Sequence, residues 1–163
     1  MAAPYHFRPM TTADLPQIKR WLALPHVREW WGDPAEQYAL VSGDLDEPAM
    51  DQFIVATEGS DLGYIQCYDL TAWNSGFGKQ PDGTRGIDLF IGEPDMVARG
   101  HGSALIDAFV EERLAQGATR IVTDPDPDPA NARAVHAYAK ASFREAGLVD
   151  TPDGPGLLMI RDK

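Results

Sequence analysis

Two glycines one residue apart, Gly100 and Gly102, constrain the fold of this chain more than any other feature of its sequence. They lie in the segment ARGHGSALIDAF, downstream of the stretch RGIDLFIG, which has the composition of a buried strand. After them, apolar residues recur at helical spacing up to Leu114, and Gly117 is a stop signal. A strand that turns through glycine into a helix leaves unpaired backbone N–H groups at the helix start, where no side chain blocks a phosphate. The pattern is typical of a phosphate site, and equally of a simple turn without a ligand.

Other phosphate-binding and metal-binding patterns do not fit this sequence. No Gly-Lys-Ser/Thr follows the glycines, and Leu105 occupies the place of the third glycine of a dinucleotide fingerprint. The four histidines show no metal-ligand spacing, so we expect no metal. There is no serine nucleophile elbow, and Cys67 lies in an apparent strand without a nearby histidine, which argues against a covalent acyl-enzyme.

Hydrophobic periodicity predicts the order strand, helix, helix, strand, strand, strand, helix, strand, helix, strand. Thr11 and Asp14 form a predicted capping box before the first helix, and Pro25 is expected to end that helix. The segment GSD at 59–61 is the expected turn of a hairpin. With 163 residues and 44% hydrophobic content, the chain is expected to form one domain over residues 1–163. Its expected class is α/β (mixed α+β), a mixed sheet with helices on its faces.

The charge balance indicates which partners the chain can bind. It carries 25 acidic and 14 basic residues, a formal net charge of -11, and the acids gather in SGDLDEPAMD and TDPDPDP. Such a surface repels nucleic acid and the anionic face of a membrane, and it attracts cations. We therefore expect a cationic small molecule as partner, and neither nucleic acid nor a membrane. The alternative is that the charge only keeps the protein soluble.

The cysteine count and the first residues indicate in which cellular compartment the protein is expected. Cys67 is the only cysteine, so no internal disulfide can form. The first residues show no basic and apolar signal pattern, and no apolar run is long enough to span a bilayer. A cytoplasmic location is the simplest expectation.

Three segments, RGIDLFIG, RIVTDP and NARAVHAYAKASF, together resemble the GCN5-related N-acetyltransferase (GNAT) superfamily. The resemblance implies the GNAT fold, a central mixed and mostly antiparallel sheet flanked by helices, with acetyl-CoA as cosubstrate. In that family the loop after the fourth strand holds the pyrophosphate of acetyl-CoA, with the pattern Arg/Gln-x-x-Gly-x-Gly/Ala. One register places Arg99, Gly102 and Ala104 on this pattern. The preferred register places Gly100 and Gly102 on it, with Val97 at the Arg/Gln position.

The same resemblance implies further contacts with the coenzyme. The strand DLFI is expected to offer backbone N–H and C=O groups to the acetyl and pantetheine groups. Asn131 matches a position that contacts the pantetheine arm, although a helix N-cap is an equally good role for it. The residues implied to bind acetyl-CoA are Leu89, Phe90, Ile91, Val97, Arg99, Gly100, His101, Gly102, Ser103 and Asn131.

A closer resemblance covers most of the chain, from about His6 to Ile160. HVREWWGD, GYIQCY, RGIDLFIGEPD, TDPDPDPANARAVHAYAKASF and TPDGPGLLMI together resemble the aminoglycoside 6'-N-acetyltransferases, a branch that is also similar to siderophore-type acyltransferase domains. This implies acetylation of the 6'-amine of aminoglycoside antibiotics, and so antibiotic resistance. The alternatives are acylation of another small amine, such as a siderophore precursor or a polyamine, and a non-catalytic acetyl-CoA-binding regulatory module. Monomer and homodimer both stay open.

Direct acetyl transfer to an amine needs a base for the ammonium and a proton for the departing thiolate. Asp88 matches the family's general base, and Tyr138 matches its tyrosine near the coenzyme sulfur. The structural alternative for Asp88 is a strand residue bonded to the backbone, and the structural alternative for Tyr138 is a core aromatic. Ser142 stands where the family usually has glycine, between Ala141 and Phe143. The residues implied to bind the acceptor are Trp31, which could also be a core aromatic, Gln66, Tyr68, Asp88, and Asp124 in preference to Asp126.

Overall fold

Most strands and helices of the protein are built from segments that hydrophobic periodicity marks in the sequence. They are seen in a computed structural model that describes residues 5–73, 76–127 and 130–163. Within these residues the strands are β1 (Tyr5–Pro9), β2 (Met50–Thr57), β3 (Ser60–Asp69), β4 (Thr84–Ile91), β5 (Arg120–Thr123), β6 (Arg144–Thr151) and β7 (Gly154–Asp162). The α-helices are α1 (Leu15–Leu22), α2 (Pro25–Trp31), α3 (Pro34–Gly43), α4 (His101–Ala115) and α5 (Ala132–Lys140). No helix in the described part of the chain is both long and apolar enough to cross a bilayer.

The strands form a seven-stranded sheet in the order β1-β2-β3-β4-β5-β7-β6. β1 pairs with β2, β5 with β7, and β6 with β7, all antiparallel. β4 and β5 are parallel, and the connection between them contains α4, because a parallel pair needs a long crossover. The predicted mixed, mostly antiparallel sheet with flanking helices is confirmed.

The fourth strand extends well beyond the part that pairs with its parallel neighbour. Partners in β5 are found for Thr84 to Gly86, whereas β4 continues to Ile91. At the end of this pairing, the hydroxyl of Thr123 donates to the backbone oxygen of Ile87 at 3.1 Å. A buried side-chain hydroxyl thus continues the hydrogen bonding between β5 and β4 where the backbone ladder stops.

The described chain contains two compact units. The first runs up to Cys67 and includes Asp88–Arg99. Its core contains Met10, Ile18, Trp21, Leu22, Val27, Val41, Ile54, Tyr64 and Phe90. The second comprises Tyr68–Ile87 and Gly100–Lys163. Its buried residues include the helical stripe predicted for α4, namely Leu105, Ile106, Phe109, Val110 and Leu114. A single domain over residues 1–163 stays a prediction.

The capping box predicted before the first helix is confirmed, and it caps a 3₁₀ turn, Thr12–Asp14, that leads directly into α1. The backbone N–H of Thr11 donates to Asp14 Oδ2 at 2.9 Å, and Thr11 Oγ1 accepts from the N–H of Ala13 at 3.3 Å, as expected of the capping box. Arg8 donates to both carboxylate oxygens of Asp14, at 3.0 and 2.8 Å. The capping box is therefore tied to β1 as well as to the 3₁₀ turn.

Three local predictions need correction. Pro25 is the first residue of a second helix, α2, and does more than end α1. The fixed φ and missing N–H of proline suit the first position of a helix, whereas at a later position they would interrupt the helix. The turn between β2 and β3 is Glu58-Gly59, with φ of 52 and 78, and Ser60 and Asp61 already belong to β3. Two successive positive φ values are typical of a tight hairpin. Strand β6 has no counterpart in the predicted order.

The C-terminal end of α5 closes on a serine in the left-handed conformation. Ser142 has a φ of 72 and donates its N–H to the oxygen of Ala139, while the N–H of Phe143 donates to the oxygen of Tyr138. The rings of Tyr138 and Phe143 lie 5.3 Å apart, which is the hydrophobic contact that accompanies this motif. Serine thus adopts the left-handed conformation here, at the position where the resemblance implies glycine.

We expect Ser142→Gly to stabilise the protein by about 0.5–1 kcal/mol, because glycine adopts a positive φ without the penalty of a Cβ. Urea denaturation followed by circular dichroism measures the change in the free energy of unfolding. Ser142→Ala is the matched control, since it removes the hydroxyl and keeps the Cβ, and it should give no gain. A stabilisation by alanine equal to that by glycine would contradict the explanation.

Candidate active site

Asp88 is a half-buried carboxylate in the middle of β4. Its Oδ2 accepts a hydrogen bond of 3.0 Å from Nε2 of Gln66, which lies in β3. Two residues predicted from the sequence as functional are therefore in direct contact. An acid that is bonded to an amide and half exposed can hold a cation or take a proton.

Trp31, the last residue of α2, lies against aromatic residues of the first unit. Its ring is 5.1 Å from that of Phe90 and 6.1 Å from that of Tyr64, both nearly edge-on. Trp31 is partly buried against the core, whereas its neighbour Trp30 is 41% exposed. Part of the Trp31 indole is thus a core aromatic, and the other part remains accessible.

Tyr68 lies across the backbone of β4 at Gly86. A Cβ built at Gly86 would lie 2.5 Å from both Cε2 and Oη of Tyr68, closer than any real side chain tolerates. The ring also lies 6.3 Å from that of Trp73. Glycine at position 86 therefore makes room for the Tyr68 ring.

The end of β4, which was predicted to contact the coenzyme, is held from two sides. Nε2 of His26 lies 2.9 Å from the backbone oxygen of Ile91, and the N–H of Gly92 donates to the oxygen of Leu62. Leu89 is half-buried, and Phe90 packs in the core. Backbone groups of Ile91 and Gly92 are therefore hydrogen-bonded within the protein.

The glycine loop before α4 has the conformation that its sequence predicts. Gly100 is the N-cap, with φ of 80 and ψ of 2, and no side chain caps the helix. A Cβ at Gly100 would meet no atom within 4 Å, so its glycine is required by the backbone conformation and not by space. Of the other predicted loop residues, Arg99 is exposed, and Val97, His101, Gly102 and Ser103 are half-buried.

Asn131 and Tyr138 are at the start and near the end of α5. The side chain of Asn131 accepts a hydrogen bond of 3.3 Å from the N–H of Ala134, so its predicted N-cap role is present. Tyr138 is 6% exposed and packs on Phe143. Tyr138 lies in the second unit and Asp88 in the first.

The two candidate acids after β5 have different surroundings. Asp124 is half-buried beside Gly156 of β7, where an added Cβ would lie 3.1 Å from the Cβ of Asp124. Asp126 is exposed, and Asp128 lies outside the described residues. No group of three or more His, Cys, Asp or Glu residues that could hold a metal ion occurs within the described residues.

Two buried polar residues near Gln66, Tyr64 and Gln52, were not predicted from the sequence as functional. The hydroxyl of Tyr64 donates to Gln66 Oε1 at 2.8 Å, and Nε2 of Gln52 donates to that hydroxyl at 3.0 Å. Tyr64 and Gln66 are two residues apart on β3, which puts both side chains on one face of the strand. That spacing was the only available signal, because nothing local connects Gln52 with them.

Comparison with known proteins identifies the family. The sequence profile described as "Acetyltransferase (GNAT) domain" matches residues 10–151. The chain belongs to the GNAT acetyltransferase family. This confirms the superfamily and the acetyltransferase class that were predicted from RGIDLFIG, RIVTDP and NARAVHAYAKASF.

Individual relatives of this acetyltransferase are similar over half of its length or more. It is 33% identical to an aminoglycoside N(6')-acetyltransferase type 1 from Klebsiella pneumoniae, over 96% of this chain and 82% of the relative. It is 39% identical to a kanamycin resistance protein from Rhizobium radiobacter, over 50% of this chain and 74% of that protein. A crystal structure of an aminoglycoside acetyltransferase with coenzyme A and kanamycin is 31% identical, with a TM-score of 0.87, and covers 98% of this chain and 95% of its own.

Proposed function

We propose that this acetyltransferase transfers the acetyl group of acetyl-CoA directly to the 6'-amine of aminoglycoside antibiotics. The observation that carries the proposal is the 33% identity, over 96% of the chain, to an enzyme named for acetylation at that position. Similar structures contain kanamycin or ribostamycin together with coenzyme A. Antibiotic resistance is the corresponding physiological role.

The glycine loop and β4 supply the groups that would bind acetyl-CoA. The uncapped N-terminus of the 15-residue helix α4 offers backbone N–H groups and a positive dipole to the pyrophosphate. The left-handed Gly100 favours the register in which Gly100 and Gly102 are the two family glycines. Asn131 and the backbone of Leu89 to Ile91 would contact the pantetheine and acetyl groups.

The transfer requires the nitrogen to lose two protons and the sulfur to gain one, and this chain has a candidate for each role. Asp88 would take the first proton from the substrate ammonium, directly or through water, so that the neutral nitrogen can form a bond with the acetyl carbon. As the bond between that carbon and the coenzyme sulfur breaks, Tyr138 would donate its phenolic proton to the thiolate, and the second proton of the nitrogen would return to the Tyr138 oxygen, directly or through water, which leaves the amide and the thiol of coenzyme A. General acid and base groups typically contribute about 10²–10⁴-fold each to a rate.

Acidic and aromatic residues would hold the acceptor. An aminoglycoside carries several ammonium groups, and the formal net charge of -11 attracts such a polycation. Asp88 and Asp124 supply half-buried negative charge, while Trp31, Gln66 and Tyr68 supply flat and hydrogen-bonding surface. Asp124 is half-buried whereas Asp126 is exposed, and a half-buried carboxylate attracts a cation more strongly, which supports the choice of Asp124 over Asp126.

A cytoplasmic location completes the proposal. It is supported by Cys67, which is buried and, as the single cysteine of the sequence, forms no internal disulfide, as fits a reducing compartment. The charge of -11 argues against nucleic acid and anionic membranes as partners. Both a monomer and a homodimer are compatible with direct transfer.

The function is tested with two aminoglycosides that differ only at position 6', which carries an amine in neomycin and a hydroxyl in paromomycin. We expect release of coenzyme A thiol with neomycin and at least about 100-fold slower release with paromomycin, because an uncharged hydroxyl is a far weaker nucleophile than an amine. Product NMR should place the acetyl group on the 6'-nitrogen.

Two other amines serve as competing acceptors in the same assay: spermidine, which represents a polyamine, and a diamine that represents a siderophore precursor. Equal turnover of neomycin and paromomycin, or faster turnover of either competitor, would contradict 6'-acetylation. Calorimetric binding of acetyl-CoA without turnover of any amine would instead indicate a regulatory module.

A further inference from the structure

Four polar side chains form a continuous hydrogen-bonded chain that ends on the Asp88 carboxylate. Nε2 of Gln52 lies 3.0 Å from the hydroxyl of Tyr64, and that hydroxyl lies 2.8 Å from Gln66 Oε1. Gln66 Nε2 lies 3.0 Å from Asp88 Oδ2. At the other end, Gln52 Nε2 lies 2.8 Å from the backbone oxygen of Val41. We call the side chains of Gln52, Tyr64, Gln66 and Asp88 the Gln52 relay.

The direction of the relay is set at its Val41 end. A backbone oxygen can only accept, so Gln52 must turn its NH₂ group toward Val41. The same NH₂ group donates to the Tyr64 hydroxyl, whose single proton is then available for Gln66 Oε1. With its oxygen engaged, Gln66 presents its own NH₂ group to Asp88. From Gln52 to Asp88, each hydrogen bond of the relay thus has its acceptor on the side of the carboxylate.

Burial makes this direction difficult to reverse. Tyr64 is 0% exposed and Gln52 is 7% exposed, so neither side chain can exchange its partners for water without opening the core. Burial is the main reason that the pKa of Tyr64 lies far above its usual value. The phenol therefore remains a neutral O–H donor at every working pH.

We infer that Gln52 and Tyr64 are positioning residues for acetyl transfer, which act by fixing the side-chain amide of Gln66 with its NH₂ group toward Asp88. The inference rests on the proposed function, in which Asp88 is the base. A flipped amide would place Gln66 Oε1 beside the carboxylate, and the two oxygens would repel each other. Asp88 would then leave the orientation that proton transfer needs, and small misplacements of a reacting group have large effects on rate.

The first test is Tyr64→Phe, which keeps the ring and removes only the hydroxyl. We expect kcat to fall about tenfold, at the upper end of the effect of one lost neutral hydrogen bond, while the KM for acetyl-CoA stays unchanged. Tyr38→Phe is the matched control, because Tyr38 is partly buried against the same core and is not part of the relay. Should Tyr64→Phe not fold, Gln52→Met takes its place, since it removes the donor at similar length.

The second test separates positioning from packing. If Tyr64 acts through Gln66, its hydroxyl has nothing to orient once Gln66 is leucine. Tyr64→Phe should therefore lower kcat about tenfold in the parent and less than twofold in the Gln66→Leu background. A structural role would lower kcat and stability equally in both backgrounds, and additive effects would overturn the inference.

A third measurement does not depend on turnover. In ¹⁵N–¹H NMR spectra, the NH₂ group of Gln66, assigned through its absence in Gln66→Leu, should show one proton shifted and protected from exchange. Tyr64→Phe should remove this protection and Tyr38→Phe should keep it. If the parent acetylates no amine, the proposed function fails and the NMR result alone decides the relay. Unchanged Gln66 signals in Tyr64→Phe would overturn it in either case.

Discussion

Asp88→Asn is expected to lower kcat for neomycin by about 10²–10⁴-fold, the range typical of removing a general base. Asparagine has nearly the same shape as aspartate and can still accept the 3.0 Å hydrogen bond from Gln66. The substitution therefore removes the charge and the basicity of the side chain with little change in packing. Stopped-flow or steady-state thiol-release kinetics measures the loss.

Two further readouts of Asp88→Asn distinguish a base from a group that only holds the ammonium. Loss of a base lowers kcat, whereas loss of a cation partner raises the KM for the amine and leaves kcat nearly unchanged. The KM for acetyl-CoA should stay constant in both cases. Asp46→Asn, at an exposed position, is the control for the change in net charge. Parent-like turnover by Asp88→Asn would remove Asp88 as the catalytic base.

Elements with strong internal signals could be predicted from the sequence. In α4 the helical stripe from Leu105 to Leu114 is buried as expected, and the left-handed Gly100 follows from a turn that no other residue adopts as readily. The Thr11–Asp14 capping box was equally predictable, because its residues are three apart and their bonds are local. Such features depend on contacts between residues that are close in the sequence, and they can therefore be predicted from it.

Strand β6 shows why other elements could not be predicted. Most of its residues are exposed, and Leu148 is 69% exposed, so no alternation of apolar and polar residues marks it. The strand exists because it pairs with β7, with a register shift between Glu145 and Leu148. That pairing is a property of the folded sheet and leaves little trace in the local composition.

The candidate site divides in the same way. Asp88 and Gln66 were predicted through resemblance, and the structure adds the contact between them. Gln52 could not be predicted, because it lies 12 residues before Tyr64 and comes near it only through the folding of β2 and β3. Residues that position a reactive group through such a contact are found in the structure alone.

Gly86→Ala is expected to displace the Tyr68 ring and to destabilise the protein by about 1–3 kcal/mol, the usual effect of an overpacked site. The new Cβ would overlap Tyr68, whose Cε2 and Oη lie 2.5 Å from its position. If Tyr68 contacts the acceptor, the KM for neomycin should also rise by about tenfold, equivalent to about 1.4 kcal/mol. Thermal unfolding and steady-state kinetics measure the two effects.

The cause of the Gly86→Ala effect can be isolated, because the overlap involves one removable ring. In a Tyr68→Ala background, Gly86→Ala should destabilise the protein by less than about 0.5 kcal/mol, because the new Cβ no longer overlaps the Tyr68 ring. Gly43→Ala is the matched control, because a Cβ there meets no atom within 4 Å and the φ is -68. An equal loss of stability in both backgrounds would place the strain in the β4 backbone and not in Tyr68. A rise in the KM for neomycin that persists without the Tyr68 ring would mean that Gly86 affects the acceptor by another route.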